Sequence, residues 1–175
     1  MISKKMEKAI NDQINAELYS AYLYLSMAAH FQAQNLPGFA NWMRVQTQEE
    51  TAHAVKFYDF VLQRGGKITL APIKGPPTTW ASPLAAFQHT AEHEAMVTGR
   101  INKLTDAALA EKDHASHNFL QWFISEQVEE EANANELVQK LTLMGQDKSA
   151  LFMLDRELAA RVFVNPLIAT GGAQV

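Results

Sequence analysis

Four stretches of the chain repeat their inward positions at alternating steps of three and four, the spacing of one buried stripe on an α-helix. The first stretch gives Ile10, Ile14, Ala21, Tyr24, Ala28 and Phe31; the second gives Phe39, Met43, Phe57 and Phe60. The third gives Leu84, Phe87, Ala91 and Ile101, and the fourth Leu120, Phe123, Ala134, Leu137, Leu141 and Met144. Together they predict helices over 4–34, 38–64, 83–111 and 114–144. Pro37 and the pair Ser82-Pro83 open two of them, at positions where proline and a capping hydroxyl are favoured. Asp113 is placed to cap the fourth; Gly65-Gly66 and Gly145 end the second and fourth. A shorter fifth helix, started by Asp147 or Ser149, is expected over 148–163, followed by a loose tail, 164–175.

The links between the first and second and between the third and fourth helices are short, so each pair should form an antiparallel hairpin. The stretch from Lys67 to Ala81 carries Pro72, Gly75, Pro76 and Pro77 and reads as a loop. Extended, such a loop reaches roughly 50 Å, while the second helix is roughly 40 Å long. It can therefore run the length of the bundle and leave the second and third helices parallel. The expected fold class is all-α: a four-helix bundle with one long crossover and a short fifth helix, forming a single domain over 1–175.

The stripes are interrupted at their middles. Glu17 breaks the first; Gln46, Glu50 and His53 break the second; Glu94, Thr98 and Thr105 fall in the third; Gln127 and Glu130 fall in the fourth. A buried carboxylate without a counter-charge costs several kcal/mol or forces protonation. No lysine or arginine lies in the stripes to neutralise these acids. Two divalent cations would balance Glu17, Glu50, Glu94 and Glu130. His53 adds a nitrogen donor, three residues from Glu50 on the same helix turn. Carboxylates with imidazole suit iron, manganese or zinc better than calcium.

Composition narrows the reading. The chain has 175 residues, 47% of them apolar and 19% charged, as expected of a globular domain. The net charge is -4 and no basic run occurs, which argues against nucleic acid as a partner. The chain has no cysteine, so disulfides and thiolate metal sites are excluded. No segment has the length of apolar sequence a membrane span needs, and the first residues lack a secretory pattern. The expected location is cytoplasmic, with no membrane partner.

Several matching pieces resemble the bacterial non-haem ferritins. They are Glu17-Leu18-Tyr19-Ser20, Gln48-Glu49-Glu50-Thr51-Ala52-His53, Glu94, Asn118-Phe119-Leu120-Gln121-Trp122-Phe123 and Ser125-Glu126-Gln127-Val128-Glu129-Glu130-Glu131. The resemblance runs through all five helices and implies iron storage with ferroxidase activity: Fe(II) oxidised by dioxygen or peroxide at a di-iron centre within each subunit. It implies that Glu17, Glu50 and His53 hold one iron, with Glu50 bridging, and that Glu94 and Glu130, with Gln127 nearby, hold the second. Tyr24 would be a donor beside the centre. A third, weaker iron position would draw on Glu49, Glu126, Glu129 and Glu130, while Glu131 belongs equally well to a solvated helix face. The resemblance further implies a 24-subunit shell around a store of hydrated ferric oxide, the fifth helix lining one set of symmetry axes. Pores for iron would lie near Asp113, His114, His117 and Asn118.

Departures from neighbouring families refine this expectation. Many di-iron proteins carry Glu-x-x-His on two helices. Here the fourth helix has Gln127-x-x-Glu130 instead. Thr51 stands where bacterioferritins have a haem-ligating methionine, so no haem is expected there. Two other readings remain at this stage. A di-iron oxygenase or peroxidase would need an organic-substrate pocket, and a metal-free helical interaction protein would be stabilised by removing the acids. His89 and His93 read as surface histidines, Trp42, Trp80 and Trp122 as packing anchors, and Met27, Met43, Met96 and Met144 as core filler.

Overall fold

The computed structural model describes residues 1–165. Among them are five α-helices: α1 (Lys4–Ala33), α2 (Pro37–Gln63), α3 (Pro83–Ala110), α4 (His114–Met144) and α5 (Lys148–Leu158). They fall into two compact units, one of α1, α2 and α5 and one of α3 and α4. The last ten residues of the expected tail lie outside the described residues.

In the first unit, Ser3 caps α1 by accepting from Met6 N at 3.2 Å. The chain reverses at Asn35, whose φ of 58° is the left-handed conformation that asparagine tolerates. α1 and α2 then pack side by side. All seven inward positions expected on each helix are buried, including Glu17, Gln46, Glu50 and His53. A glycine with φ 71°, Gly65, ends α2 as the sequence suggested.

The crossover is tied along α1. Lys67 N donates to Glu7 Oε2 (3.0 Å). Asn11 exchanges two bonds with the loop, its Nδ2 to Lys67 O (2.9 Å) and Thr69 N to its Oδ1 (2.7 Å). Asn15 Nδ2 reaches Ala71 O (3.1 Å) and Ser26 Oγ donates to Pro77 O (2.6 Å). From the level of Glu7 to that of Ser26 is about 28 Å at the helical rise. The loop thus climbs back to the end of the hairpin where α2 began.

Reciprocal capping fastens α5 to α2. Leu36 at the start of α2 has no capping side chain. Asp155 of α5 supplies one, its Oδ1 accepting from Gly38 N (2.8 Å) and Phe39 N (3.1 Å). In return Asn41 Nδ2 donates to Leu158 O (3.2 Å) and Arg161 O (2.9 Å). The fifth helix was expected to reach residue 163 but stops at Leu158, where Asn41 and tight turns through Ala159 and Ala160 take its last carbonyls. Leu154 and Leu158 are its buried apolar residues, while Phe152 stands exposed.

In the second unit, Ser82 caps α3 through Ala85 N and Asp113 caps α4 through Ser116 N, both as expected. On α4 the expected stripe is buried from Leu120 to Leu141, with Met144 half-buried. On α3 the expected Phe87, Glu94, Ile101 and Thr105 are buried, Leu84, Ala91 and Thr98 are only partly covered, and the covered face extends to Ala86, Thr90, His93, Val97, Leu104 and Ala108. A covered face wider than one stripe gives the periodicity little contrast. Two readings need correction here. His93 is buried rather than a surface histidine, and Met96 is exposed rather than core filler.

Candidate metal centre

Helical register brings three ligand-capable groups together in the first unit. Glu17 lies near the middle of α1, and Glu50 and His53 lie one turn apart on α2. Their relative exposures are 1%, 2% and 2%. Each offers one ligand atom, and these atoms lie within 4.8 Å of one another. His53 Nδ1 stands 3.7 Å from Glu50 Oε2. Glu17 Oε1 accepts from Gln13 Nε2 at 2.8 Å, but its buried Oε2 accepts no hydrogen bond among the described residues. A buried carboxylate oxygen left without a donor is costly, and a cation is the group that would satisfy it. The donor set of two carboxylates and one imidazole fits a divalent first-row metal.

Tyr24, two turns along α1 from Glu17, is fully buried. Glu49, the neighbour of Glu50, faces elsewhere. Its Oε2 lies 2.6 Å from Arg161 Nη2, and the Arg161 guanidinium stacks 4.5 Å from the Trp42 ring centroid.

The second unit holds the remaining residues. Glu94 and Glu130 are buried near the middles of α3 and α4. Gln127 Nε2 lies 3.3 Å from Glu94 Oε2, 3.3 Å from Glu94 O and 3.2 Å from Thr98 Oγ1. Thr98 Oγ1 in turn donates to Glu131 Oε1 at 2.5 Å. Glu126 is half-buried and Glu129 exposed. His93 sits beside Glu94 in sequence; burial first, and the neighbouring His89 second, hold its pKa down to about 4. His89 Nδ1 accepts from Trp80 Nε1 at 3.0 Å. Of the residues expected near pores, Asp113 is engaged as the α4 cap, His117 is half-buried, and His114 and Asn118 are exposed.

Two contributors escaped the sequence reading, Gln13 and Arg161, while Thr98 stood there only as a member of the third stripe and Glu131 as an acid of the fourth helix. Gln13 was recoverable, since it lies four residues before Glu17 on the same helix and an amide there can reach the carboxylate. Arg161 was not, because its partner Glu49 lies 112 positions away in the chain.

Comparison with known proteins agrees with this picture. The family model of the ferritin-like domain matches residues 7–144. A bacterial non-heme ferritin of Bacteroides fragilis is 44% identical over 161 residues, covering 92% of this chain and all of that protein. One from Staphylococcus epidermidis is 39% identical over 163 residues, covering 93% and 98%. Among solved structures, an engineered closed form of the Archaeoglobus fulgidus ferritin superposes with a TM-score of 0.93 at 57% identity, over 94% of this chain and all of that one. A structure described as an open pore ferritin from the same archaeon gives 0.92 at 58% identity, over 93% of this chain and all of that one. The fold is accordingly the expected ferritin-like four-helix bundle with a short fifth helix. Family model, relatives and fold agree, and the chain belongs to the ferritin family.

Proposed function

We propose that this protein stores iron and oxidises it on the way in, with Fe(II) as substrate. The observation that carries the reading is the buried cluster of Glu17, Glu50 and His53, whose ligand atoms lie within 4.8 Å of one another, with one Glu17 oxygen that accepts no hydrogen bond. Buried acids of this kind stabilise a fold only in company with cations. In this proposal Glu17, Glu50 and His53 hold one Fe(II), and Glu94 and Glu130, with Gln127 beside them, hold the second. Tyr24 is a donor close to the first position. A third, weaker position uses Glu49, Glu126, Glu129 and Glu130; at that position iron competes with Arg161 for Glu49.

The oxidant is dioxygen or peroxide. Two Fe(II) give one electron each to dioxygen, which leaves as hydrogen peroxide after taking up two protons. The resulting Fe(III) is a strong enough Lewis acid to deprotonate bound water, so ferric oxyhydroxide forms with release of protons. Gln127, in place of a second histidine, leaves the second position with only oxygen donors. Release of product to a store then competes well with retention. Replacing Gln127 with His should slow repeated turnover while leaving the first oxidation intact.

A store needs an enclosure, and we propose a closed shell of 24 copies. Supporting an assembly are large apolar side chains left exposed at helical spacing, Tyr22 and Leu25 on α1 and Val55, Tyr58 and Leu62 on α2. Among the described residues no helix is long and apolar enough to cross a membrane, and the cytoplasm is the proposed location. The deciding experiment is anaerobic loading with Fe(II) followed by oxygen. The expected result is oxidation of many more than two irons per subunit with the product kept soluble, in a particle that elutes as a large assembly. Precipitation of the iron after two equivalents per subunit would refute storage.

A further inference from the structure

The threonines of this protein's helices follow a rule that Thr98 breaks. Thr47, Thr51, Thr90, Thr105 and Thr142 each donate their hydroxyl to the carbonyl four residues back, the usual bond of a helical threonine. Thr98 donates instead to Glu131 Oε1 on α4, and the carbonyl it would have used, Glu94 O, faces Gln127 Nε2 at 3.3 Å. The consequence follows from counting protons. A hydroxyl has one, and an ionised carboxylate has none to give. With its proton committed to Glu131, Thr98 Oγ1 can only accept. Glu94 can only accept through both its carboxylate and its carbonyl. The three atoms that Gln127 Nε2 meets among the described residues, Glu94 O, Glu94 Oε2 and Thr98 Oγ1, are therefore all acceptors sharing its two protons, so the amide presents its NH2 and turns its carbonyl oxygen away.

We propose that Thr98 and Glu131 are positioning residues: together they lock the Gln127 amide so that it donates to the Glu94 carboxylate and aims Glu94 at its cation. Gln127 then works as a donor to a ligand rather than as a ligand itself. This assignment rests on the proposed reading of Glu94 as holding the second Fe(II). The geometry also places the lock where solvent and ions can reach it, for Thr98, Gln127 and Glu131 line a cleft of about 310 Å³ on the α3–α4 hairpin. Glu131, for which the sequence left the third iron position and a solvated helix face equally open, is thereby tied to the chemistry through Thr98.

The test is anaerobic titration of the assembled protein with Co(II) alone, followed by its visible absorption. The wild type should show two strong steps ahead of any weak binding at the third position, and His53→Ala should identify the one belonging to Glu17, Glu50 and His53. Thr98→Val removes the acceptor without changing side-chain shape much. It should weaken the other step between about tenfold and a hundredfold, the loss of one hydrogen bond to a charged group, and leave the His53 step in place. Thr98→Ser, which restores the hydroxyl, should recover the wild-type isotherm. Glu131→Gln, on a half-buried position that tolerates a neutral isostere, should weaken the same step by a smaller factor. Equal weakening of both steps, no weakening, or failure of serine to rescue would overturn the assignment. A wild-type isotherm with a single strong step would instead sink the two-cation reading beneath it.

Discussion

The substitution Glu17→Gln should change sign with the cation. The ligand atoms of Glu17 and Glu50 lie no more than 4.8 Å apart in a site almost sealed from water. Two like charges at that distance repel by about 3 kcal/mol at an effective dielectric of about 20. Glutamine has nearly the same shape and keeps an oxygen to accept from Gln13, so the exchange removes the repulsion with little loss of packing. In a chelator the variant should therefore be the more stable protein. A stabilisation of that size corresponds to about 6–12 °C for a chain of this length, read as an apparent Tm at one fixed scan rate. With a divalent cation present the order should narrow or reverse. A ligand at a hundredfold excess over its dissociation constant adds about 2.7 kcal/mol to the wild type, and a variant that has lost one carboxylate ligand gains less. The assay is a pair of melting curves for each protein, one in chelator and one with Co(II) under nitrogen. If Glu17→Gln melts below the wild type by the same margin in both, the acid is an ordinary structural residue and the cation argument fails.

Other perturbations read different parts of the structure. Gly38→Ala would place a Cβ 1.6 Å from the carbonyl oxygen of Asp155, so it should dislodge α5 and raise amide exchange throughout that helix, while α3 and α4 exchange as before. Asp155→Ala removes the cap from Gly38 N and Phe39 N and should cost about 2 kcal/mol, seen as a lower Tm. Arg161→Gln releases Glu49 from its 2.6 Å ion pair and should strengthen the weakest step of Co(II) binding, the one assigned to the third position. Glu7 is held below the usual glutamate range by the Lys67 N–H first and the Lys4 ammonium second. A lowered carboxyl pKa stabilises the fold above that range and is lost as pH falls through it. Acidification should therefore free the start of the crossover, and Glu7→Gln should abolish that pH dependence of exchange at Lys67 and Thr69.

The long stripes were legible because they repeat. Ile10 through Phe31 and Phe39 through Phe60 carry large apolar residues at regular steps, and a polar residue inside such a run declares itself. Glu17, Glu50 and His53 were found that way. α3 was less legible because its covered face is wider than one stripe: Ala86, Thr90, His93, Val97, Leu104 and Ala108 are buried beside Phe87, Glu94, Ile101 and Thr105. His93 was misread for the same reason: it lies on the flank of the expected stripe, where the steps of three and four do not mark it as inward. The end of α5 was hidden for a different cause. Residues 159–163 continue a plausible helix, but the side chain of Asn41, from far away in the chain, and tight turns through Ala159 and Ala160 take the last carbonyls and end it at Leu158.

That division has a physical meaning. Burial is a property of one residue on one periodic element, so a sequence displays it. Orientation depends on which neighbour takes which proton, and this is settled only when two elements meet. Gln127 illustrates the gap. Its sequence position says that an amide is buried near acids, yet an amide can serve an acid as donor or a cation as acceptor. What decides between them is Thr98, and what decides Thr98 is Glu131 on the neighbouring helix. Among ferritin-like chains a change at the position of Thr98 or Glu131 should therefore alter the second cation position even where all the acids and the histidine are kept. A search by ligand residues alone would pass over that difference, and the hydrogen-bond chain makes it visible.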